Sequence, residues 1–344
     1  MKKFFTVLLI AICAFCAFAN AEAEKVGGGE LVIYSPNSDK LLEAADVFAA
    51  TYGVDVQVLS MGTGECLERI VNEAGNAQAD IMYGGVNFAN GNKYKDYFEQ
   101  YTAKNDDKLP KAYQCQNGCV TKYCLDGSGC LIVNKAVCEK LGVDPASVDG
   151  YEALLNPKLK GHIAMGNPAA SSSAWAELTN MLAVMGDKPY DEKAWDYVEK
   201  FVKQLNGTIL SSSSAIYKGT NNGEYAVGVS YEDPLISLLV DGATGINVVY
   251  PKEGAVWLPA GAAIIKGAKN MDNAKLFLDW LISDEGQKEI AKSTARPANP
   301  AIENTAKEML PFSKINVAYE DYDLCASSKD AWCARWNEIV AKSN

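Results

Sequence analysis

An α/β fold built as two lobes is what this sequence predicts, and three observations carry that prediction. Short apolar runs alternate with helix-period stretches in βαβαβ order, which requires a parallel sheet covered by helices. The alternation stops across a polar, aromatic, cysteine-rich stretch at 90–125 and resumes at Cys130. Four turns rich in Ser, Thr, Asn or Gly connect predicted strands to helix starts, two in each half of the chain.

In the first half a strand over 31–34 enters the turn Ser35-Pro36-Asn37-Ser38. A helix follows, with Leu41, Leu42, Ala45, Phe48 and Ala49 on one apolar face. Gly53 stops it. The next strand, 54–59, alternates Val54, Val56 and Val58 and leads through Gly62-Thr63-Gly64 into a helix carrying Leu67, Ile70 and Val71. A third strand, 79–83, ends at Gly84-Gly85. Residues 90–125 are expected to be a connection with some helix.

In the second half, strands are predicted at 130–134, 162–166, 208–211, 226–231 and 246–250. Helices are predicted at 173–185 and 190–205, with a short glycine-broken helix after the serine run at 211–214. The segment 262–265 reads as a strand returning to the first sheet. An amphipathic helix follows through Ala274, Phe277, Trp280 and Leu281. Ser283 caps another, with Asp284 and Glu285 in its first turn. The last forty or so residues are expected to be helical and to pack on one domain.

Residues 1–21 pair two lysines with an apolar run and the ending Ala19-Asn20-Ala21, the pattern of a secretory signal peptide. A lipid anchor is the weaker reading, since Cys13 follows Ile12 and Cys16 follows Phe15, where a small residue is expected. No later segment is apolar enough to cross a bilayer, so a soluble protein beyond the cytoplasm is expected. Hydrophobic residues make up 48% of the chain, enough for large packed cores. The formal charge of −11 and the lack of any Lys/Arg cluster argue against nucleic acid as a partner. An anionic ligand is still allowed, because donors at hydrogen-bond range outweigh distant, screened carboxylates.

Eight cysteines remain after the signal: Cys66, Cys115, Cys119, Cys124, Cys130, Cys138, Cys325 and Cys333. An even number in an exported chain favours disulfides, with Cys325 and Cys333 expected to staple the last helices. Zinc is the alternative, weakened by the absence of a nearby His and of Cys-x-x-Cys spacing.

The four turns, 35–38, 62–65, 167–173 and 211–214, are the candidate site. Helix N-termini offer free N–H groups and a positive dipole end, which suits an anion. Each turn alone reads as ordinary capping. Four together, at the carboxyl ends of strands, suggest a cleft between two domains. The run Tyr231-Glu232-Asp233 adds carboxylate acceptors and a flat ring for the organic part of a ligand, against the plainer reading of a solvated strand end before Pro234. Lys218 could complement an anion or be a solvated helix residue. Trp175 and Trp257 could cover a ligand, although core tryptophan is commoner. Catalysis has little support: His162 is the single histidine, and no Gly-x-Ser-x-Gly elbow, Walker loop or dinucleotide glycine pattern occurs. No cofactor and no metal site is expected.

On these residues the chain resembles bacterial ABC-transporter periplasmic solute-binding proteins, in the branch of ferric-ion, phosphonate and sugar-phosphate binders. The resemblance spans nearly all of the mature chain. It is most specific in NNGEYAVGVSYEDP (221–234), VYPKEGAVWLPAGAAIIKGAKN (249–270), AKLFLDWLISDEGQ (274–287) and Arg296-Pro297. The family's STGE-like turn stands here as Gly62-Thr63-Gly64-Glu65, with Met61 and Gly62 in place of its polar lead-in. The resemblance implies a type II periplasmic binding protein fold, two α/β lobes joined by crossing hinge segments and closing over a ligand. The lobes are expected at 27–125 plus 255–300 and at 126–254 plus 301–344.

Ferric-binding members carry adjacent tyrosines where this chain has Ser230-Tyr231-Glu232, so the iron reading lacks one oxygen ligand, although Tyr217, Glu232 and Asp233 could supply others. Hexose-phosphate binders are the closer match. Phosphate contacts are then expected from Ser35, Asn37, Thr63, Gly64, Ser171, Ser172, Ser211, Ser212 and Ser213, with Glu65 beside them. Tyr231, Glu232 and Asp233 would orient the organic part. The implied protein is a monomeric periplasmic receptor delivering a sugar phosphate to the membrane permease of an ABC importer. A ferric-ion or phosphonate receptor is the alternative.

Overall fold

The computed structural model describes residues 27–37 and 39–343. The signal peptide expected at 1–21, with Cys13 and Cys16, lies outside the described residues, as does Ser38.

The N-terminal unit alternates β1 (Glu30–Ser35), α1 (Asp39–Tyr52), β2 (Asp55–Ser60), α2 (Thr63–Asn72) and β3 (Ile81–Val86). Strand β1 pairs in parallel with both β2 and β3. This is the unit that the period of its apolar residues requires. A short α3 (Phe88–Lys93) leads through turns to β4 (Thr121–Ser128), then β5 (Cys130–Asn134) and α4 (Lys135–Lys140). Next come β6 (Ile163–Gly166), α5 (Ser172–Val184), α6 (Glu192–Leu205), β7 (Ile209–Leu210), α7 (Ser213–Asn221), β8 (Val227–Ser230) and α8 (Glu232–Val240). The chain closes with β9 (Ile246–Val249), β10 (Ala255–Ile264), α9 (Met271–Leu281), α10 (Asp284–Ile290), β11 (Arg296–Pro297), β12 (Val317–Ala318) and α11 (Tyr322–Ser343).

Among the described residues these strands form two sheets. One runs β11-β4-β10-β3-β1-β2, with β12 beside β10; the other runs β7-β6-β8-β5-β9. Each sheet has its own core. The first packs Phe48, Phe277 and Trp280 under β1 and β3, and the second packs Leu131, Phe201 and Val229 against Trp336. The chain passes between the sheets at Gly129 and again between β9 and β10. Gly129 has φ +71°, and the place of a Cβ there is filled by the Tyr151 hydroxyl, so glycine is required.

Three elements differ from the sequence reading. Strand β4 begins inside the stretch expected to be a connection and runs three residues past it. It is buried on both faces yet carries Thr121, Lys122 and Asp126, so it lacks any apolar alternation. The run Glu232-Asp233-Pro234 opens helix α8 rather than ending a strand, with both acids in its first turn, where the dipole favours them. The last forty residues are divided: Ile315 and Val317 join the first core, and only α11 joins the second.

Among the described residues the expected disulfides are absent, and all eight cysteines there are thiols. Cys325 and Cys333 share α11, where eight residues rise about 12 Å, far beyond the ~7 Å that a disulfide spans between Cα atoms. Among the described residues no group of three His, Cys, Asp or Glu side chains is placed to hold a metal ion.

Candidate functional site

Three turns of the first lobe meet at the carboxyl ends of β1, β2 and β3. Ser35 ends β1 fully buried; its Oγ donates to the Tyr83 carbonyl at 2.6 Å and accepts the Asn37 N–H at 3.1 Å. The Asn37 amide then exchanges hydrogen bonds with the Tyr123 hydroxyl at 2.9 and 3.1 Å. Gly84 (φ +95°) and Gly85 (φ +70°) let these turns close up: a Cβ on Gly84 would fall on the Asn37 amide, and one on Gly85 on Thr63 and Pro36. Helix α2 begins at Thr63 without a side-chain cap, and Gly64 and Glu65 in its first turn are exposed. Its first N–H groups therefore keep their capacity for an incoming acceptor.

The second lobe presents two serine turns side by side. Parallel pairing of β6 with β7 sets Gly166 opposite Leu210, and the Asn167 N–H donates to the Leu210 carbonyl at 3.1 Å. Ser171 caps α5 through the Ala174 N–H at 3.4 Å, its hydroxyl 2.9 Å from that of Ser173. Ser172 is exposed. Ser212 is the N-cap residue of α7 but makes no capping bond; its hydroxyl pairs with Ser214 at 2.9 Å, and Ser211 and Ser212 are both exposed. Ser213 hydrogen-bonds the Tyr231 side chain, which is half-buried.

A carboxylate pair lies where the lobes join. The Asp233 N–H donates to Asp126 Oδ1 at 3.3 Å, and the Thr294 hydroxyl donates to the Asp233 carboxylate. Burial, then the neighbouring Asp233 and Glu232 charges, hold the Asp126 carboxyl well above the ordinary range. Burial likewise raises Asp233, opposed by its bond from Thr294. Burial, followed by Asp126, Tyr217 and Asp233, raises the Tyr231 phenol. Thus β4 links the two halves: Tyr123 touches the Asn37 turn, and Asp126, three residues on, touches the group formed by Asp233, Tyr231 and Ser213. Asp126 was missed from sequence because nothing local marks it; its neighbour Asp233 lies over a hundred residues away.

Glu232 takes a different place from the one expected. It is fully buried, and its carboxylate accepts Arg296 Nε at 2.9 Å and Nη2 at 2.5 Å, the Tyr250 hydroxyl at 2.6 Å and Trp257 Nε1 at 3.3 Å. With these acceptors taken, Glu232 is an internal counter-charge and not a group presented to a ligand. The buried Ser35 hydroxyl is corrected in the same way, since both its hydrogen bonds are internal. Trp257 belongs to this buried network, whereas Trp175 packs on Trp332 with ring centroids 6.0 Å apart. Lys218 is exposed in the last turn of α7, and His162 is exposed just ahead of β6. A hollow of about 670 Å³ lined by Asp149, Tyr250, Lys252 and Leu310 holds none of the expected site residues.

The family model for bacterial extracellular solute-binding proteins matches residues 43–311. An uncharacterized protein of Haemophilus influenzae is 27% identical over 97% of this chain and 96% of its own. The solved structure of the periplasmic binding protein AfuA from Actinobacillus pleuropneumoniae, with fructose-6-phosphate bound, is 25% identical with a TM-score of 0.74, covering 92% of this chain and 99% of that one. Iron-bound HitA from Pseudomonas aeruginosa shares the fold with a TM-score of 0.72 at 18% identity, covering 90% of this chain and 99% of that one.

Proposed function

Because the chain belongs to the bacterial extracellular solute-binding proteins, with the type II periplasmic binding fold of two lobes, we propose that its ligand is a sugar phosphate held between them. The phosphate is received by the uncapped N-terminus of α7 at Ser211, Ser212 and Ser213, with Ser171 and Ser172 beside it. From the first lobe, Asn37, Thr63, Gly64 and Glu65 complete the contacts. Tyr231, Asp233 and Asp126 take the hydroxyls of the sugar. Ser35 and Glu232 act behind this surface by holding its shape. The observation that carries the reading is α7, whose N-cap serine leaves the helix N–H groups uncapped and sits among exposed hydroxyls. The protein acts as the receptor of an ABC importer, outside the cytoplasm, handing its solute to the membrane permease as a monomer.

Titration calorimetry with fructose 6-phosphate, inorganic phosphate, 2-aminoethylphosphonate and ferric citrate tests the proposal. Saturable heat with the sugar phosphate and weaker heat with inorganic phosphate is expected. Preference for the phosphonate would keep the anion site and change the organic part. A ferric reading rests on the oxygen donors Tyr231, Tyr217, Asp126 and Asp233, which stand close together. Iron uptake with a tyrosinate absorption band, and no heat from any phosphate compound, would replace the proposal with that reading.

A further inference from the structure

Of the eight thiols, two are arranged unlike the rest. Cys66, Cys130 and Cys138 are buried, each with its sulfur 3.7 Å from a backbone carbonyl. Cys115 and Cys119 instead share one acceptor: their sulfurs lie 4.0 and 3.4 Å from Asn117 Oδ1. That oxygen also accepts the Cys119 and Val120 N–H groups at 3.2 Å, so it organises the whole turn. Asp106 fixes the other end by accepting the Cys115 N–H on both carboxylate oxygens at 3.0 Å. Gly118 adopts φ +77°, which permits the tight return. Cys115 is partly exposed, and Cys119 is fully buried. The buried Lys122 side chain interacts electrostatically with both Cys115 and Asp106. The sulfur that an incoming reagent can reach is that of Cys115.

We propose that Cys115 and Cys119 form a reactive dithiol that closes to a disulfide when the protein meets an oxidising disulfide, whether of a small thiol or of a protein oxidant. Cys115 releases its proton to solvent, and the thiolate attacks one sulfur of the incoming disulfide. This forms a mixed disulfide and expels one thiolate. Cys119 then loses its proton and attacks the Cys115 sulfur, forming the internal bond and expelling the second thiolate. Two electrons and two protons leave the protein, and the oxidant ends as two thiols. Attack begins at Cys115 because burial holds Cys119 out of reach and pushes its thiol up to about 11. The product pins the turn that feeds β4, the strand linking the two halves of the candidate site.

The test uses the mature protein, reduced, exposed to glutathione disulfide, then blocked with an alkylating reagent and digested with trypsin. Both cysteines fall in the single peptide spanning 112–122, between Lys111 and Lys122. The expected product is that peptide two hydrogens lighter and unalkylated, with the buried cysteines alkylated only after unfolding. Cys119→Ser should trap Cys115 as a stable glutathione adduct, and Cys115→Ser should leave Cys119 unmodified. A stable adduct at Cys115 in the unaltered protein, or a bond from Cys115 to any other cysteine, would overturn the proposal. So would unchanged alkylation of both residues after treatment.

Discussion

Glu232 shows what a single residue can hide. Its charge is compensated by one guanidinium, which also lies 4.5 Å from the Phe312 ring centre and 5.4 Å from that of Trp257. Removing one member of such a pair leaves a buried, uncompensated charge. Arg296→Met is therefore expected to destabilise the fold by about 3–5 kcal/mol in urea unfolding, and adding Glu232→Gln should restore much of the loss. Equal losses in the single and double variants would mean that packing, not charge, is what Arg296 supplies. Glu177 poses the opposite case: it is fully buried, and neither carboxylate oxygen has a hydrogen-bond partner among the described residues. Burial raises its carboxyl well above the ordinary range. The folded chain then keeps a proton that the unfolded chain releases near pH ~4.3. Its contribution to stability is complete below that pH and is lost as pH rises through the folded value. Glu177→Gln should remove this loss, so its stability advantage over the unaltered protein should grow with pH across that window, as urea midpoints would record.

At the scale of elements, the proposed site is a set of helix starts, and their caps allow binding to be tested apart from folding. Ser212 makes no bond to the α7 N–H groups, so Ser212→Ala should leave the unfolding midpoint nearly unchanged. It should still weaken sugar-phosphate binding by about 1 kcal/mol, roughly fivefold, in calorimetry. Gly84→Ala acts on the opposite lobe. Its Cβ would collide with Asn37 Oδ1 at a φ that non-glycine residues rarely adopt, costing about 1–3 kcal/mol and displacing the Asn37–Tyr123 contact. Affinity should fall with it, and retained affinity would remove Asn37 from the site. The four turns were legible in sequence because capping and strand-to-helix signals are local. Helix α8 also carried such a signal, with Glu232, Asp233 and Pro234 all suited to a first turn, but the preceding apolar run carried the strand reading on to the residue before Pro234. Strand β4 carried none, since burial on both faces erases alternation.

For the whole molecule, the chain crosses between the lobes at Gly129, between β9 and β10 and between β12 and α11, and the candidate contacts come from both lobes. A ligand touching both favours the closed arrangement by its differential affinity. Saturating fructose 6-phosphate should therefore reduce the radius of gyration in small-angle scattering. At a hundredfold excess over Kd it should add about 2.7 kcal/mol to stability. No contraction on binding would argue that one lobe alone holds the ligand.

The chain by itself determined its α/β class, its two-part organisation and the turns that offer N–H groups and hydroxyls, because period and turn chemistry depend only on near neighbours. Tertiary structure alone decided which of those groups remain free. Glu232 is claimed by an arginine 64 positions away, Ser35 is sealed beneath its own turn, and Asp126 is brought to Asp233 across 107 residues. Availability of a polar group is a matter of who its distant partners are, and no local pattern encodes that.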